Sequence, residues 1–312
     1  MKKNIINTEH IEGRVYDHSL TLKTVQNQQS ENYGKEFISG NLDVAVDEEG
    51  LNVITVHFTY VTEKTKKGGV NATFTNLKQI INEGKTVLKV GSDATMVSID
   101  TNLALNDFYD REDKLVSAKR NEGGFVSIVN KLKDENDRNT FTADMVITSI
   151  NRIEANAERY IDEHVAVRGA IFNFRNEILP MEFVVKNPKG MEYFESLTVE
   201  PSKPIFTKVW GRINSTTISI PKTEESAFGE AIVHNYERKI KEWVITGTSP
   251  TQYDFGGEDL TAEELTKAMQ DREVYLADIK KKNEEYKASK AASAPASTPT
   301  VAGGVPTGNF SF

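Results

Sequence analysis

Aromatic and cationic side chains alternate along a short stretch in the second half of the sequence. The residues that share this parity are Phe206, Lys208, Trp210 and Arg212. The opposite parity is aliphatic, with Ile205, Val209 and Ile213. In a β-strand this pattern places the aliphatic residues in a core and the rings and positive charges on the outer face. Aromatic rings stack on nucleobases for about 1–3 kcal/mol each and cations bind phosphates, so the stretch indicates a surface for single-stranded nucleic acid.

A second stretch, from His164 to Asn187, repeats this alternation. Arg168, Phe172 and Phe174 share one parity here, and the opposite parity is again aliphatic, with Val165, Val167 and Ile171. Arg175, which follows them, is a further candidate for a phosphate contact. Two interpretations are open for the rings of both stretches. Either they face solvent and stack on bases, or a packed helix or the neighbouring domain covers them.

Candidates in the first half of the chain are more scattered. They are His57, Lys64, Lys66, Lys67, Lys119, Arg120 and Phe125. The first three lysines lie in a glycine-containing loop, and the last three residues lie on a predicted hairpin. A lysine-rich loop is usually only solvated. Charge on hairpin loops also suits a small barrel that contacts its ligand there.

No catalytic motif is recognisable in the sequence. It has no P-loop, no dinucleotide-binding glycine fingerprint, no HExxH motif and no nucleophile elbow. The five histidines are scattered, and no two have the spacing of metal ligands. Acidic clusters at 110–113 and 134–137 suit solvated loops better than a cation site. The sequence therefore predicts a binding protein without a cofactor or a metal, and not an enzyme.

The strands that must position these candidates are clearest within residues 35–69. Apolar and polar residues alternate on both sides of a turn at 47–50, which is the signature of a β-hairpin. Gly40, inside the first of these strands, indicates a bulge or a sharp bend. A short helix is predicted at 76–82. A bent strand, a hairpin and a helix follow one another in this order in an OB-type barrel.

The pattern around Gly40 recurs in the second half of the chain. Ile38–Leu42 and Val167–Ile171 both have the order apolar, any residue, glycine, any residue, apolar. Each is followed by a turn, an alternating strand and a short helix, which in the second copy begins at Pro188. We therefore predict a mostly β protein with two tandem OB-like barrels, at residues 1–139 and 140–256.

Other elements are predicted from local patterns alone. Residues 85–90 alternate like a strand, and residues 114–132 suggest a hairpin that turns at Asn121–Gly123. A stripe of residues four apart predicts an amphipathic helix from Glu224 to Trp243 that packs on the barrel. The stripe consists of Phe228, Ile232, Tyr236 and Ile240.

A helix and a tail are predicted to follow the barrels. Thr261–Glu264 has the sequence of a capping box, and the apolar stripe behind it gives a helix within residues 257–288. Residues 289–312 are mostly Ala, Ser, Pro, Thr and Gly, which predicts a disordered tail. The tail ends with Phe310 and Phe312, an aromatic pair suited to a pocket of a partner protein.

Composition narrows the class of protein. The chain of 312 residues has a formal net charge of −8, so binding to nucleic acid would need a local patch of positive charge. It has no cysteine, which excludes disulfides, a cysteine nucleophile and a thiolate zinc site. The sequence shows neither a signal peptide nor a membrane-spanning segment. We expect a cytoplasmic protein without a membrane partner.

Two OB-like barrels followed by a tail that ends in phenylalanine resemble the architecture of single-stranded DNA-binding proteins of bacteria and phages. The resemblance implies a protein that coats and protects single-stranded DNA in replication or recombination, with RNA as the alternative ligand. It implies that the tail binds replication or recombination proteins, although Thr307–Phe312 lacks the acidic residues usual in that family. The resemblance is compatible with a homo-oligomer. For a phage-encoded protein it implies a location in the host cytoplasm. The competing interpretation is a structural or assembly protein, such as a phage virion component, that does not bind nucleic acid.

Overall fold

The structure is a computed structural model that describes residues 5–200, 204–224, 228–230, 232–253 and 260–293. Strands hold 51% of the chain and helices 23%, so the fold is mostly β, as predicted. The strands are β1 Asn7–His18, β2 Thr21–Thr24, β3 Glu36–Ala45, β4 Val53–Thr62, β5 Met96–Tyr109, β6 Leu115–Ile128, β7 Asn139–Ile153, β8 His164–Phe172, β9 Ile178–Val185, β10 Ile205–Glu224 and β11 Ile232–Thr248. The helices are α1 Ala72–Glu83, α2 Val87–Val90, α3 Pro188–Ser196 and α4 Ala262–Ser293.

The first half of the chain closes into a five-stranded barrel. β1 pairs with both β3 and β5, and β3 pairs with β4. β4 runs parallel to β6, and β6 pairs with β5, which completes the ring. α1 lies in the chain between the third and the fourth strand of this ring. This strand order with a helix at that position is the OB fold.

The second half repeats the same topology. β7 pairs with β8 and β10, β8 pairs with β9, β9 runs parallel to β11, and β11 pairs with β10. α3 again lies between the third and the fourth barrel strand. The predicted tandem of OB-like barrels is therefore confirmed, and β3 and β8, which carry the repeated glycine pattern, are the second strand of each barrel.

Both repeated glycines are explained by a close approach between neighbouring chain segments. A Cβ added at Gly40 would lie 2.3 Å from the backbone oxygen of Ser19, and one at Gly169 would lie 2.0 Å from that of Val146. Gly40 also has a φ of +131°, which side chains rarely tolerate, and the β3–β4 pairing is irregular at this residue. The bulge predicted at Gly40 is confirmed.

The two barrels share a sheet and a core. Asn7–Ile11 of β1 pairs with Asn139–Ala143 of β7, so that all strands belong to one hydrogen-bonded sheet. One cluster of buried side chains runs from Ile11 through both barrels to Ile245. The boundary at residue 139 falls at the start of β7 and stays a prediction.

The C-terminal helix α4 packs against the outside of both barrels. Its predicted capping box forms, since the Glu264 amide donates to Thr261 Oγ1 at 3.1 Å and the Thr261 amide donates to Glu264 Oε2 at 3.1 Å. Leu260 and Ala268 pack in a second buried cluster on the outside of the second barrel. Arg272 reaches β5 of the first barrel and pairs with Asp107 at 2.9 Å.

Local patterns misled the prediction of three elements. The described residues of 224–243 form no helix, and most of them belong to β11. The stripe was misleading because residues four apart share a face in a strand as well as in a helix. Residues 85–90 include the short helix α2 and no strand. Asn121–Gly123 is not a turn but part of the continuous strand β6, whose hairpin with β5 turns at 110–114, where Asp110 Oδ1 accepts from the amides of Glu112 and Lys114.

Candidate nucleic-acid interface

A long β-hairpin projects from the second barrel. β10 and β11 have 20 and 17 residues, more than the barrel needs, and Thr216–Glu224 pairs with Ile232–Ile240 beyond it. We call these two segments the arm. Nine residue pairs at about 3.3 Å per residue make it roughly 30 Å long. In an OB fold this hairpin connects the fourth and fifth strands, one of the loops that contact oligonucleotides.

One face of the arm looks toward the loop between β7 and β8. Directly opposite residues of an antiparallel pair share a face, so Ile218 and Arg238 lie together, and so do Ile220 and Tyr236. Arg238 Nη1 donates to the backbone oxygen of Arg159, in that loop, at 3.3 Å. The arm and the β7–β8 loop therefore flank the groove of the second barrel, the usual ligand position of an OB fold.

The other face of the arm carries Lys239, and Lys241 continues this face at the base of the arm. This side turns toward the first barrel. The base of the arm touches that barrel, because Asn52 Oδ1 accepts from the Ser215 amide at 2.9 Å. The electrostatic neighbours of Lys241 include Asp43 on β3 and His57 on β4. β3 and β4 are the second and third strands of the first barrel, whose outer face is again the ligand position of the fold. The arm thus borders the grooves of both barrels.

Positive charge available to a ligand lies on the arm and at its base. On the second barrel, Arg168 of β8 pairs with Glu182 at 2.6 Å, and Lys186 after β9 pairs with Glu242 at 2.7 Å. By contrast, four arm-side cations have no carboxylate partner among the described residues. They are Lys222, Arg238, Lys239 and Lys241. Burial, followed by the charge of Lys239, lowers the pKa of Lys241 more than the nearby Asp43 carboxylate raises it.

His57 lies in the groove of the first barrel but carries no charge at neutral pH. Burial, followed by the positive charges of Arg120 and Lys241, lowers the pKa of His57 to about 4. Its Nδ1 lies 2.7 Å from Asn41 Oδ1 on the neighbouring strand. Arg120 lies beside it and donates from Nη2 to Thr59 Oγ1 at 3.1 Å. His57 can therefore hydrogen-bond a ligand there, whereas a phosphate contact falls to Arg120.

The prediction that Phe172 and Phe206 stack on bases from the outside of the second barrel is wrong. Their parity is the predicted outer one, but each ring is only 1% exposed. Leu260, Ala268 and Tyr253 cover them in the second buried cluster, and the Phe206 and Tyr253 rings lie 4.8 Å apart between centroids. The interpretation that a packed element covers the rings holds here, and that element is α4 with the segment before it.

Phe174 and Arg175 lie at the turn between β8 and β9 and not on a strand face. Both are exposed, with the Arg175 guanidinium 5.2 Å from the Phe174 ring centroid. They border a groove of about 870 Å³ between β5, this turn and α4. Four acids, Asp107, Glu122, Glu177 and Asp271, line that groove with two arginines, Arg175 and Arg272, so its charge does not favour phosphates.

Lys119 is not an exposed hairpin cation. Its ammonium lies 5.1 Å from the centroid of the Trp243 ring, and burial lowers the pKa of Lys119. This contact joins the two barrels, since Lys119 is on β6 and Trp243 is on β11. Lys64, Lys66 and Lys67 are exposed in the loop before α1, and their role in binding stays a prediction.

Four predicted residues lie on one outer face of the sheet, which runs across both barrels. Lys208, Trp210 and Arg212 lie on β10, and Phe125 lies on β6. Trp210 is 40% exposed and Phe125 78%. The Trp210 indole rests on Gly247, where an added Cβ would lie 2.5 Å from the ring. The strands between them are β7, β1 and β5.

Sequence reasoning missed the arm and with it Arg159, Tyr236, Arg238, Lys239 and Lys241. A signal for it was present. Thr216–Ile220 is rich in β-branched residues, Gly229 follows, and Ile232 and Val233 are β-branched again, a combination typical of a hairpin. The predicted tail residues Phe310 and Phe312 lie outside the described residues.

Comparison with known proteins places the chain in a family. The model of the YorF family matches residues 7–282. The chain belongs to the YorF family. No curated protein sequence matches it.

Two solved structures resemble this YorF-family chain at 11% sequence identity. A deletion mutant of the single-stranded DNA-binding protein from Thermus aquaticus aligns with 82% of this chain and 98% of its own, with a TM-score of 0.46. A chain of a replication protein A heterotrimer bound to single-stranded DNA aligns over 76% of this chain and 49% of its own, with a TM-score of 0.22.

Within the described ranges, no group of three or more His, Asp or Glu side chains has a geometry that could hold a metal ion. Within the same ranges, no helix is long and apolar enough to cross a membrane.

Proposed function

We propose that this protein binds single-stranded DNA in the two OB grooves that flank the arm, and that it acts as a binding protein without catalysis or a cofactor. One observation carries the proposal. Arg238 and Lys239 on the arm and Lys241 at its base form no salt bridge in the described part of the chain, and they lie where OB folds contact oligonucleotides. Aromatic rings next to such cations are what a single strand needs.

The binding mechanism combines stacking and phosphate contacts. Tyr236 on the arm and Tyr160 on the opposite loop are exposed at the groove of the second barrel, where unpaired bases can stack. Arg238 supplies a phosphate contact beside them. Lys239 and Lys241 supply phosphate contacts on the other side of the arm, toward the first barrel. A net charge of −8 opposes binding through bulk charge, so contact is confined to these local cations.

The biological role that fits this mechanism is the coating and protection of single-stranded DNA during replication or recombination, in the cytoplasm. Binding without base-specific contacts suits such a role, because stacking tolerates every base. In this proposal Phe310 and Phe312 recruit replication proteins, and RNA is the competing ligand.

A variant with a shortened arm tests the proposal. Residues Ile218–Arg238 are replaced by Asn-Gly, which favours a two-residue hairpin turn, so that Thr217 and Lys239 remain the last pair. The removed part is mostly exposed and lies beyond the barrel core, so we expect circular dichroism and the Tm to change little. The affinity for labelled oligo-dT should fall at least tenfold, because Lys222, Tyr236 and Arg238 are removed while Lys239 and Lys241 remain. An unchanged affinity in a folded variant contradicts the proposal.

An assembly protein is the second candidate, because Ile232 and Val233 expose aliphatic surface near the end of the arm. Light scattering after size-exclusion chromatography separates the two functions. A stable high-order oligomer that does not bind oligo-dT favours assembly.

A further inference from the structure

A continuous polar sheet surface crosses the junction of the two barrels. We call the outer face of β10, β7, β1, β5 and β6 the bridging face. One row of directly opposite residues runs across it, through Arg212, Thr140, His10, Asp100 and Phe125. The neighbouring row includes Trp210, Thr142 and Thr8. The pairing of β1 with β7 makes the face continuous.

The bridging face has an aromatic ring at each side and a polar floor. Trp210 and Phe125 are separated by four strand spacings of about 4.8 Å, or roughly 19 Å. A shallow cavity of about 330 Å³ lies between β7 and β6, and its floor includes Thr8, Asn102, Thr140 and Thr142. Hydroxyl and amide groups of this kind can hydrogen-bond to base edges and sugars.

The bridging face carries charges of both signs. On the Phe125 side, Asp100 Oδ1 lies 2.8 Å from His10 Nδ1. Arg212 donates to the neutral side chain of Asn136 at 2.8 Å, so its charge is not cancelled. Lys208 adds a second cation on the same strand. The positive charges therefore lie on the Trp210 side of the face.

We propose that the bridging face is a second binding track, on which single-stranded DNA leaving the grooves stacks one base on Trp210 and another on Phe125. This inference rests on the proposed function and extends it to a surface outside the grooves. A span of 19 Å corresponds to at most about six nucleotides at the stacked spacing of 3.4 Å, and fewer when the strand is stretched. A protein partner would instead need a contiguous apolar patch, whereas these two rings are separated by threonine hydroxyls.

Oligonucleotides of two lengths test this track. The double variant Trp210→Ala/Phe125→Ala is compared with wild type on a short oligo-dT that fills one groove and on one several times longer. We expect unchanged affinity for the short strand, at least fivefold weaker binding of the long strand, and a smaller number of nucleotides covered per protein. Tyr193→Ala, which removes a ring that is also 40% exposed but lies on α3, should change neither value.

Tryptophan fluorescence gives an independent readout that does not depend on the double variant. Trp210 is exposed and Trp243 is buried, so stacking of DNA should quench mainly Trp210. The quenching by the long strand should disappear in Trp210→Phe. Equal long-strand affinity and site size in the double variant, or undiminished quenching in Trp210→Phe, overturns the second track while leaving the grooves intact. If wild-type protein binds no oligo-dT, the proposed function and the track fail together.

Discussion

The arm cations predict how strongly salt weakens DNA binding. In the arm-neutral variant, Lys222, Arg238, Lys239 and Lys241 are all replaced by glutamine. Each cation that contacts a phosphate of a single strand contributes about −0.7 to the slope of log K against log salt. Four contacts therefore contribute a slope of about −3. Between 50 and 200 mM salt they account for roughly a 50-fold loss of affinity.

The assay is fluorescence anisotropy of labelled oligo-dT at four or more salt concentrations. The matched control replaces four exposed lysines outside the arm by glutamine. They are Lys89, Lys189, Lys267 and Lys280. Both variants change the formal net charge from −8 to −12, since each loses four positive charges. We expect the slope to become about 3 units shallower in the arm-neutral variant and to stay near the wild-type value in the control.

The result that refutes the reasoning is an equal change in both variants, because binding would then depend on overall charge and not on the arm. A wild-type slope that the arm-neutral variant retains in full refutes it as well. In both cases the phosphate contacts lie elsewhere on the protein.

Three further predictions concern buried charge and the groove. The Glu9 carboxyl is buried without a hydrogen-bond partner among the described residues, and burial raises its pKa well above the usual value. Folded protein then keeps a proton that unfolded chain loses near pH 4.5, so stability should fall as pH rises above that value, by up to about 1.4 kcal/mol per pH unit until the folded pKa is reached. Glu9→Gln should remove this slope in urea unfolding at several pH values, and a retained slope contradicts the assignment. Arg272→Met leaves the buried Asp107 carboxylate without its cation and should lower the free energy of unfolding by about 3 kcal/mol. Adding Asp107→Leu should restore much of the loss. Equal stability of wild type and Arg272→Met in denaturant unfolding contradicts a stabilising role of α4 at this contact. Since the pKa of His57 is lowered to about 4, His57→Gln should leave the pH dependence of DNA affinity between pH 6 and 8 unchanged. A wild-type dependence in that range that anisotropy titrations show to be lost in the variant contradicts this, because His57 would then gain its charge in the groove.

The fold could be predicted from the sequence because its decisive signals are local. Gly40 and Gly169 mark the same strand in each barrel, and their close contacts with a neighbouring segment exclude any side chain there. Strand parity was also readable, since Val209 and Ile213 lie in the core and Trp210 lies outside. The arm was missed because a spacing of four residues fits a helix and a strand equally well.

The site was only partly predictable, because the burial of a side chain by residues far along the chain leaves no signal in the local sequence. Phe172 and Trp210 have the same kind of sequence pattern, yet Phe172 is covered by elements about 90 residues further along the chain, whereas Trp210 is open. Whether a cation forms an ion pair is equally hard to read from the local sequence. Arg168 is neutralised by Glu182 across a strand pair, but Arg238, equally cationic in sequence, has no such partner in the described part of the chain.

The central claim is that this chain binds single-stranded DNA, and one titration tests it directly. Labelled oligo-dT and a duplex of equal length are titrated with the full chain at two salt concentrations, with anisotropy as the readout. We expect tight binding to the single strand, weakening with salt, and far weaker binding to the duplex, because base stacking needs unpaired bases. No binding to oligo-dT at the lower salt concentration, or equal binding to both ligands, contradicts the account.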